Sequence, residues 1–124
     1  MEFKIDTKET YSVIRPITDS INAKMTDLLD KTCADVRQNG SSNLIVDLQD
    51  CKDADAEGLE KLVNMHEESY ANDHSMVFTA VTPGVMKMLK ANETDLLINV
   101  APTMAEAVDI VSMEILERDL FNEE

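Results

Sequence analysis

The run Leu44-Ile45-Val46-Asp47-Leu48 constrains this chain more than any other stretch, because it is almost continuous in apolar side chains over the length of a strand. A strand that alternates apolar and polar residues can leave one face in water. This one has no polar face, so both of its sides must be covered, which places it at the centre of a sheet with helices above and below.

The flanking sequence supplies matching parts. Phe3-Lys4-Ile5 and Tyr11-Ser12-Val13-Ile14, separated by Asp6 to Thr10, read as a hairpin or two-part edge strand, with Pro16 limiting the second run. Asp19 or Ser20 is placed to cap a helix of about five turns whose apolar residues Ile21, Met25, Leu28, Leu29 and Val36 follow the helical repeat. Asn39-Gly40 supplies its left-handed stop.

Beyond the central run, Leu59, Leu62, Val63, His66 and Tyr70 form one stripe of a second helix closed by Asn72-Asp73. Met76 to Val81 is the next strand, and Thr82-Pro83-Gly84 opens a short helix carrying Val85, Met88 and Leu89. Asp95 to Val100 is predicted as one more strand. A last helix starts at Pro102-Thr103 and carries Met104, Ala107, Val108, Val111 and Ile115 on one stripe, with Ile110, Met113 and Leu120 off it. Apolar residues on two faces suit either a meeting with another protein or a longer groove in the same core. The predicted order is strand, strand, helix, strand, helix, strand, helix, strand, helix. Such alternation calls for an α/β fold with a mostly parallel or mixed sheet of four to five strands, about four helices and right-handed crossovers. Residues 1–124 are expected to form one domain.

Charge excludes more partners than it identifies. With a formal net charge of -14 and 11 Lys and Arg residues scattered without a basic stripe, the chain would repel a phosphate backbone, so nucleic-acid binding is disfavoured. No apolar run approaches the roughly 20 residues of a membrane span. The start, Met1 to Asp6, lacks the basic cluster and apolar segment of a signal peptide, so a cytoplasmic location is expected. Cys33 and Cys51 have no CxxC spacing and read as packing residues.

The stretch most suggestive of function is Asp55-Ala56-Glu57-Gly58-Leu59, an acidic turn joining the central strand to the second helix, with side chains presented at a helix N-terminus. With the strand ending at Asp47 before it and Pro102-Thr103-Met104-Ala105-Glu106-Ala107 opening the last helix after it, the chain from about Tyr11 to Ile115 resembles the STAS family of anti-sigma-factor antagonists. In that family an Asp-Ser-Ser-Gly-Leu turn opens the second helix, and a Pro-Thr-x-x-Glu-Ala-like start opens the last.

The resemblance implies a non-enzymatic, cofactor-free partner-switching module that binds a protein, an anti-sigma factor or serine kinase, until phosphorylation of the turn serine releases it. Here the serine positions hold Ala56 and Glu57, neither of which accepts a phosphate. Glu57 places one fixed negative charge where a phosphate would bring about 1.5 to 2. Two readings stand: a phosphate mimic, or an acidic helix-start residue gaining some 0.3 to 1 kcal/mol from the helix dipole, with Asp55 an ordinary N-cap.

Gly58 allows close approach either by a partner or by the protein's own backbone. The expected contact surface is Asp55, Ala56, Glu57 and Gly58, then Glu60, Lys61 and Asn64 along the helix, with Met86 as an adaptable apolar contact. The alternative implied by the family is the STAS subunit of a lipid-transport ABC system, bound to its ATPase partner. The sequence carries no signal for an oligomeric state.

Other chemistries fit less well. Asp53-x-Asp55-x-Glu57-Gly58 matches the first half of a calcium loop, but Asn64 stands where a bidentate glutamate belongs. The acids Asp47, Asp50, Asp53, Asp55, Glu57 and Glu60 read as a solvated rim. Asp47 ends a strand as in receiver domains, but no acidic pair follows Ile14 and no lysine follows Val100. Ser41-Ser42 lacks a nucleophile elbow, and Gly40, Gly58 and Gly84 are too far apart for a phosphate loop.

Overall fold

In the computed structural model, which describes residues 1–122, the central run is strand β4 (Leu44–Asp47), and every one of its residues is buried. Leu44 and Val46 enter one core and Ile45 the other, so both faces are covered as the apolar run demands. Around it, β1 (Glu2–Thr7), β2 (Ser12–Ile17), β6 (Met76–Thr79) and β7 (Val100–Ala101) complete a five-stranded sheet in the order β1-β2-β4-β6-β7. The β1–β2 hairpin is antiparallel and the remaining pairings are parallel.

Helices α1 (Ala23–Gln38), α2 (Ala56–Ala71) and α3 (Pro83–Ala91) pack on one face, where Leu29, Leu59, Leu62, Phe78 and Val85 are buried. Helix α4 (Met104–Asn122) covers the other with Ala107 and Val111 against Ile45, Val77 and Ala101.

Several local expectations are corrected. Pro16 does not end β2; it lies inside the strand opposite Phe3. Ser12 donates its N–H to Asn43 on the β4 side, so by the strand's alternation the N–H missing at Pro16 would also point that way. Pairing with β4 has already stopped at Ile14, so no ladder bond is lost.

The cap of α1 is neither Asp19 nor Ser20. Ser20–Ile21 forms a short strand, β3, parallel to β5 (Asp53–Ala54), and Asn22 caps the helix by accepting from the Met25 N–H at 2.9 Å. The strand expected from Asp95 shrinks to Val100–Ala101. Leu97 donates to the Thr94 carbonyl in a turn, and Leu96 is 92% exposed, so these leucines do not join the sheet. Likewise β6 stops at Thr79, because Ala80 takes a left-handed φ of 56° and turns the chain toward α3.

Candidate functional site

Parallel strands put the loops that follow β4, β6 and β7 at one end of the sheet, and α2 starts there. Asp55 is its N-cap: the carboxylate accepts the Gly58 N–H at 2.7 Å, and the Asp55 N–H donates to the Ile21 carbonyl at 3.0 Å. The turn is thus bonded to β3 on one side and to its own helix on the other.

Gly58 is buried under the chain's own backbone. A Cβ there would lie 2.7 Å from the Ile21 carbonyl carbon and 2.8 Å from the Asn22 Cα, with the Ile21 oxygen closer still. Of the two readings of this glycine, close internal packing is the one observed. It contributes no side chain to the surface.

Asp55, Ala56 and Glu57 are exposed, and Glu57 stands in the first helical turn with no hydrogen bond or ion pair among the described residues. Glu60, Lys61 and Asn64 follow it at helical spacing on the side of α2 away from Leu59, Leu62 and Val63. Lys61 donates to Asp27 of α1 at 2.6 Å; this contact and the fields of Asp27 and, one turn back, Glu57 hold its ammonium pKa above the ordinary lysine range. Along this stripe Glu57, Glu60 and Asn64 therefore project freely, while Lys61 is engaged. Met86 is half-buried and borders a separate hollow of about 500 Å³ between α3 and β7, walled by Val81, Lys90, Asp95, Val100 and Pro102.

The loop below the turn is braced by three sets of side-chain contacts. Arg15 holds Asp50 with two hydrogen bonds of 2.5 and 3.1 Å, and the guanidinium bond keeps the Asp50 carboxyl below the usual carboxylate range. Asp47, buried at the end of β4, accepts from the backbone N–H of Gln49 at 3.1 Å and from its side-chain amide at 2.7 Å, closing the loop as an Asx turn. Thr82 donates to the Cys51 carbonyl at 2.7 Å and joins the start of α3 to this loop. The Arg15–Asp50 and Thr82–Cys51 partners lie 35 and 31 residues apart and are revealed only by three-dimensional proximity, whereas Asp47 and Gln49 are local neighbours, 2 residues apart.

Among the described residues, no three His, Cys, Asp or Glu side chains gather closely enough to hold a metal ion. No helix among them is long and apolar enough to cross a membrane.

Comparison with known proteins agrees with this architecture. No curated protein matches in sequence. An anti-sigma factor antagonist from Mycobacterium paratuberculosis superposes with a TM-score of 0.71 at 17% identity, covering 90% of this chain and 93% of that one. A serine-to-glutamate variant of Moorella thermoacetica RsbS gives 0.73 at 15% identity over 95% and 99% of the two chains. The antagonist SpoIIAA of Bacillus, in its unphosphorylated form, gives 0.67 at 18% identity over 90% and 96%. At these identities the likeness is one of fold. The family model of the STAS domain matches residues 4–107, and on that match the chain belongs to the STAS domain family.

Proposed function

We propose that this chain is a non-catalytic protein-interaction module of the anti-sigma-factor-antagonist kind. It docks a protein partner, an anti-sigma factor or serine kinase, through the Asp55–Gly58 turn and the Glu57, Glu60, Asn64 side of α2. Lys61, engaged by Asp27, is assigned to the edge of that surface, and Met86, beside the α3–β7 hollow, to a second, apolar contact. The observation that carries the reading is Glu57, an exposed carboxylate with no hydrogen bond or ion pair among the described residues, in the first turn of α2 of a STAS fold. Where switch members of the family present a serine hydroxyl, Glu57 gives a charge that no phosphatase can remove. The partner either disengages permanently or has a surface adapted to a carboxylate.

The test is titration calorimetry against the anti-sigma factors and serine kinases encoded near the gene, using the native protein, Glu57→Ser and Glu57→Lys. A surface adapted to the carboxylate loses affinity on both substitutions, by about tenfold or more for lysine, equivalent to about 1.4 kcal/mol. A phosphate mimic instead gains affinity on Glu57→Ser, and Ala56→Ser with Glu57→Ser restores a phosphorylatable turn. Affinities unchanged across all variants refute the assignment, as does binding only to an ABC-transporter ATPase through another surface.

A further inference from the structure

Helix α4 carries apolar residues that its own fold does not use. Ala107 and Val111 face the sheet, and the same row continues to Glu114, which accepts from the Tyr70 hydroxyl at 2.7 Å, and Arg118, which donates to Asn43 and Ser75 at 3.0 Å each. Met113, Leu116 and Leu120 recur at intervals of three and four on the opposite side, and they are 61%, 59% and 59% exposed. Phe121, 82% exposed, follows Leu120 but lies about 100° around the helix from it, apart from this stripe. Three large apolar side chains projecting from about two turns of one helix form a patch of the kind that marks an interaction site.

The rim of the patch identifies what covers it. Glu106, Asp109, Glu117 and Asp119 are all exposed around the stripe, whereas Arg118, the sole basic residue of α4, is turned inward to Asn43 and Ser75. A second copy would bring two such acidic rims together, each on a chain of net charge -14. Anionic lipid headgroups would be repelled by the same carboxylates.

We infer that α4 is a docking surface for an amphipathic helix of another polypeptide, whose apolar stripe packs on Met113, Leu116 and Leu120 and whose flanking Lys or Arg residues meet the acidic rim. This surface lies across the sheet from α2, so it is independent of the turn and of any partner bound there.

The test uses the full chain and a fluorescent helical peptide of about 18 residues, about five turns, with leucines on one stripe and lysines flanking them. The controls are a scrambled peptide of the same composition and a version with glutamate flanks. Fluorescence anisotropy should detect binding of the first peptide alone. Leu116→Asp with Leu120→Asp should weaken it by about tenfold or more, the effect of losing a central apolar anchor. Asp109→Lys with Glu117→Lys should weaken binding and flatten its salt dependence.

Amide shifts in the native protein, which need no variant, should cluster between residues 109 and 121. Equal binding of the scrambled peptide, undiminished binding by the leucine variants, or shifts centred on α2 would overturn the inference. A dimer that sedimentation detects in the native chain and that the leucine variants abolish would assign the patch to a second copy instead.

Discussion

Replacing Gly58 with alanine inserts a methyl group where the structure leaves no room for one. The new carbon would sit 2.7 Å from the Ile21 carbonyl carbon and 2.8 Å from the Asn22 Cα. Carbon atoms pack best at about 3.5–4.0 Å, so the start of α2 must retreat by about 1 Å. Both neighbours are backbone, and neither can rotate aside. Overpacking of this kind costs about 1–3 kcal/mol, against a gain of up to about 1 kcal/mol from alanine's higher helix propensity. The retreat also stretches the Asp55–Gly58 cap and the bond from Asp55 to Ile21, so the net effect is a loss of about 1–3 kcal/mol.

Urea denaturation should show this loss as a lower midpoint at unchanged slope. Gly40 provides the control, because its φ is +103° with nothing within 4 Å of a built Cβ. Gly40→Ala should lose stability through backbone strain alone, whereas at Gly58 the loss comes from crowding and should grow with side-chain size, Gly58→Asn being worse than Gly58→Ala. A Gly58→Ala variant as stable as the native protein would refute the close-packing argument.

Asp55→Ala should cost about 0.5–2 kcal/mol in thermal or urea unfolding through loss of the α2 cap, with Asp55→Asn largely restoring it. The Nε2 of His66 accepts the Asn99 N–H at 3.1 Å, and burial lowers its pKa from the ordinary histidine value. Its neutral form is the folded form, so its contribution is complete above about pH 6.5 and is lost as pH falls through the lower folded value. The slope of stability against pH between 7.5 and 5.5 should therefore be smaller in His66→Gln, by at most about 1.4 kcal/mol per pH unit. Burial pushes the Cys33 thiol up to about 12 and the Cys51 thiol up to about 11, so neither should react with a thiol reagent at pH 8 until urea unfolds the chain.

Elements with an unambiguous period or stop signal were legible in the sequence: the continuous run of β4, the Gly40 stop, Pro83 at the first position of α3 and the capping position of Asp55. The β3–β5 ladder was not legible, because two-residue strands have too few side chains to express a period. Leu96 and Leu97 misled because a hydrophobicity pattern assumes burial, and these leucines ride a turn in solvent. At the site, Asp55, Glu57, Glu60 and Asn64 could be grouped from helical spacing alone. The Lys61–Asp27 and Arg15–Asp50 pairs could not, since opposite charges attract across the fold without regard to separation along the chain.

Strand β7 reaches only Phe78 and Thr79 of β6 and leaves the earlier part of that edge unpaired. Tyr70, on the last turn of α2, sits beside it: its hydroxyl receives the Asn99 side-chain amide at 2.6 Å and gives its proton to Glu114 of α4 at 2.7 Å. Helix α2 is thereby pinned at both extremities, by main-chain crowding at Gly58 and by a phenol reaching past the sheet's border at Tyr70. A rod clamped at each end cannot pivot about either one. Any displacement at its acidic tip must break a bond to the opposite layer or carry that layer along.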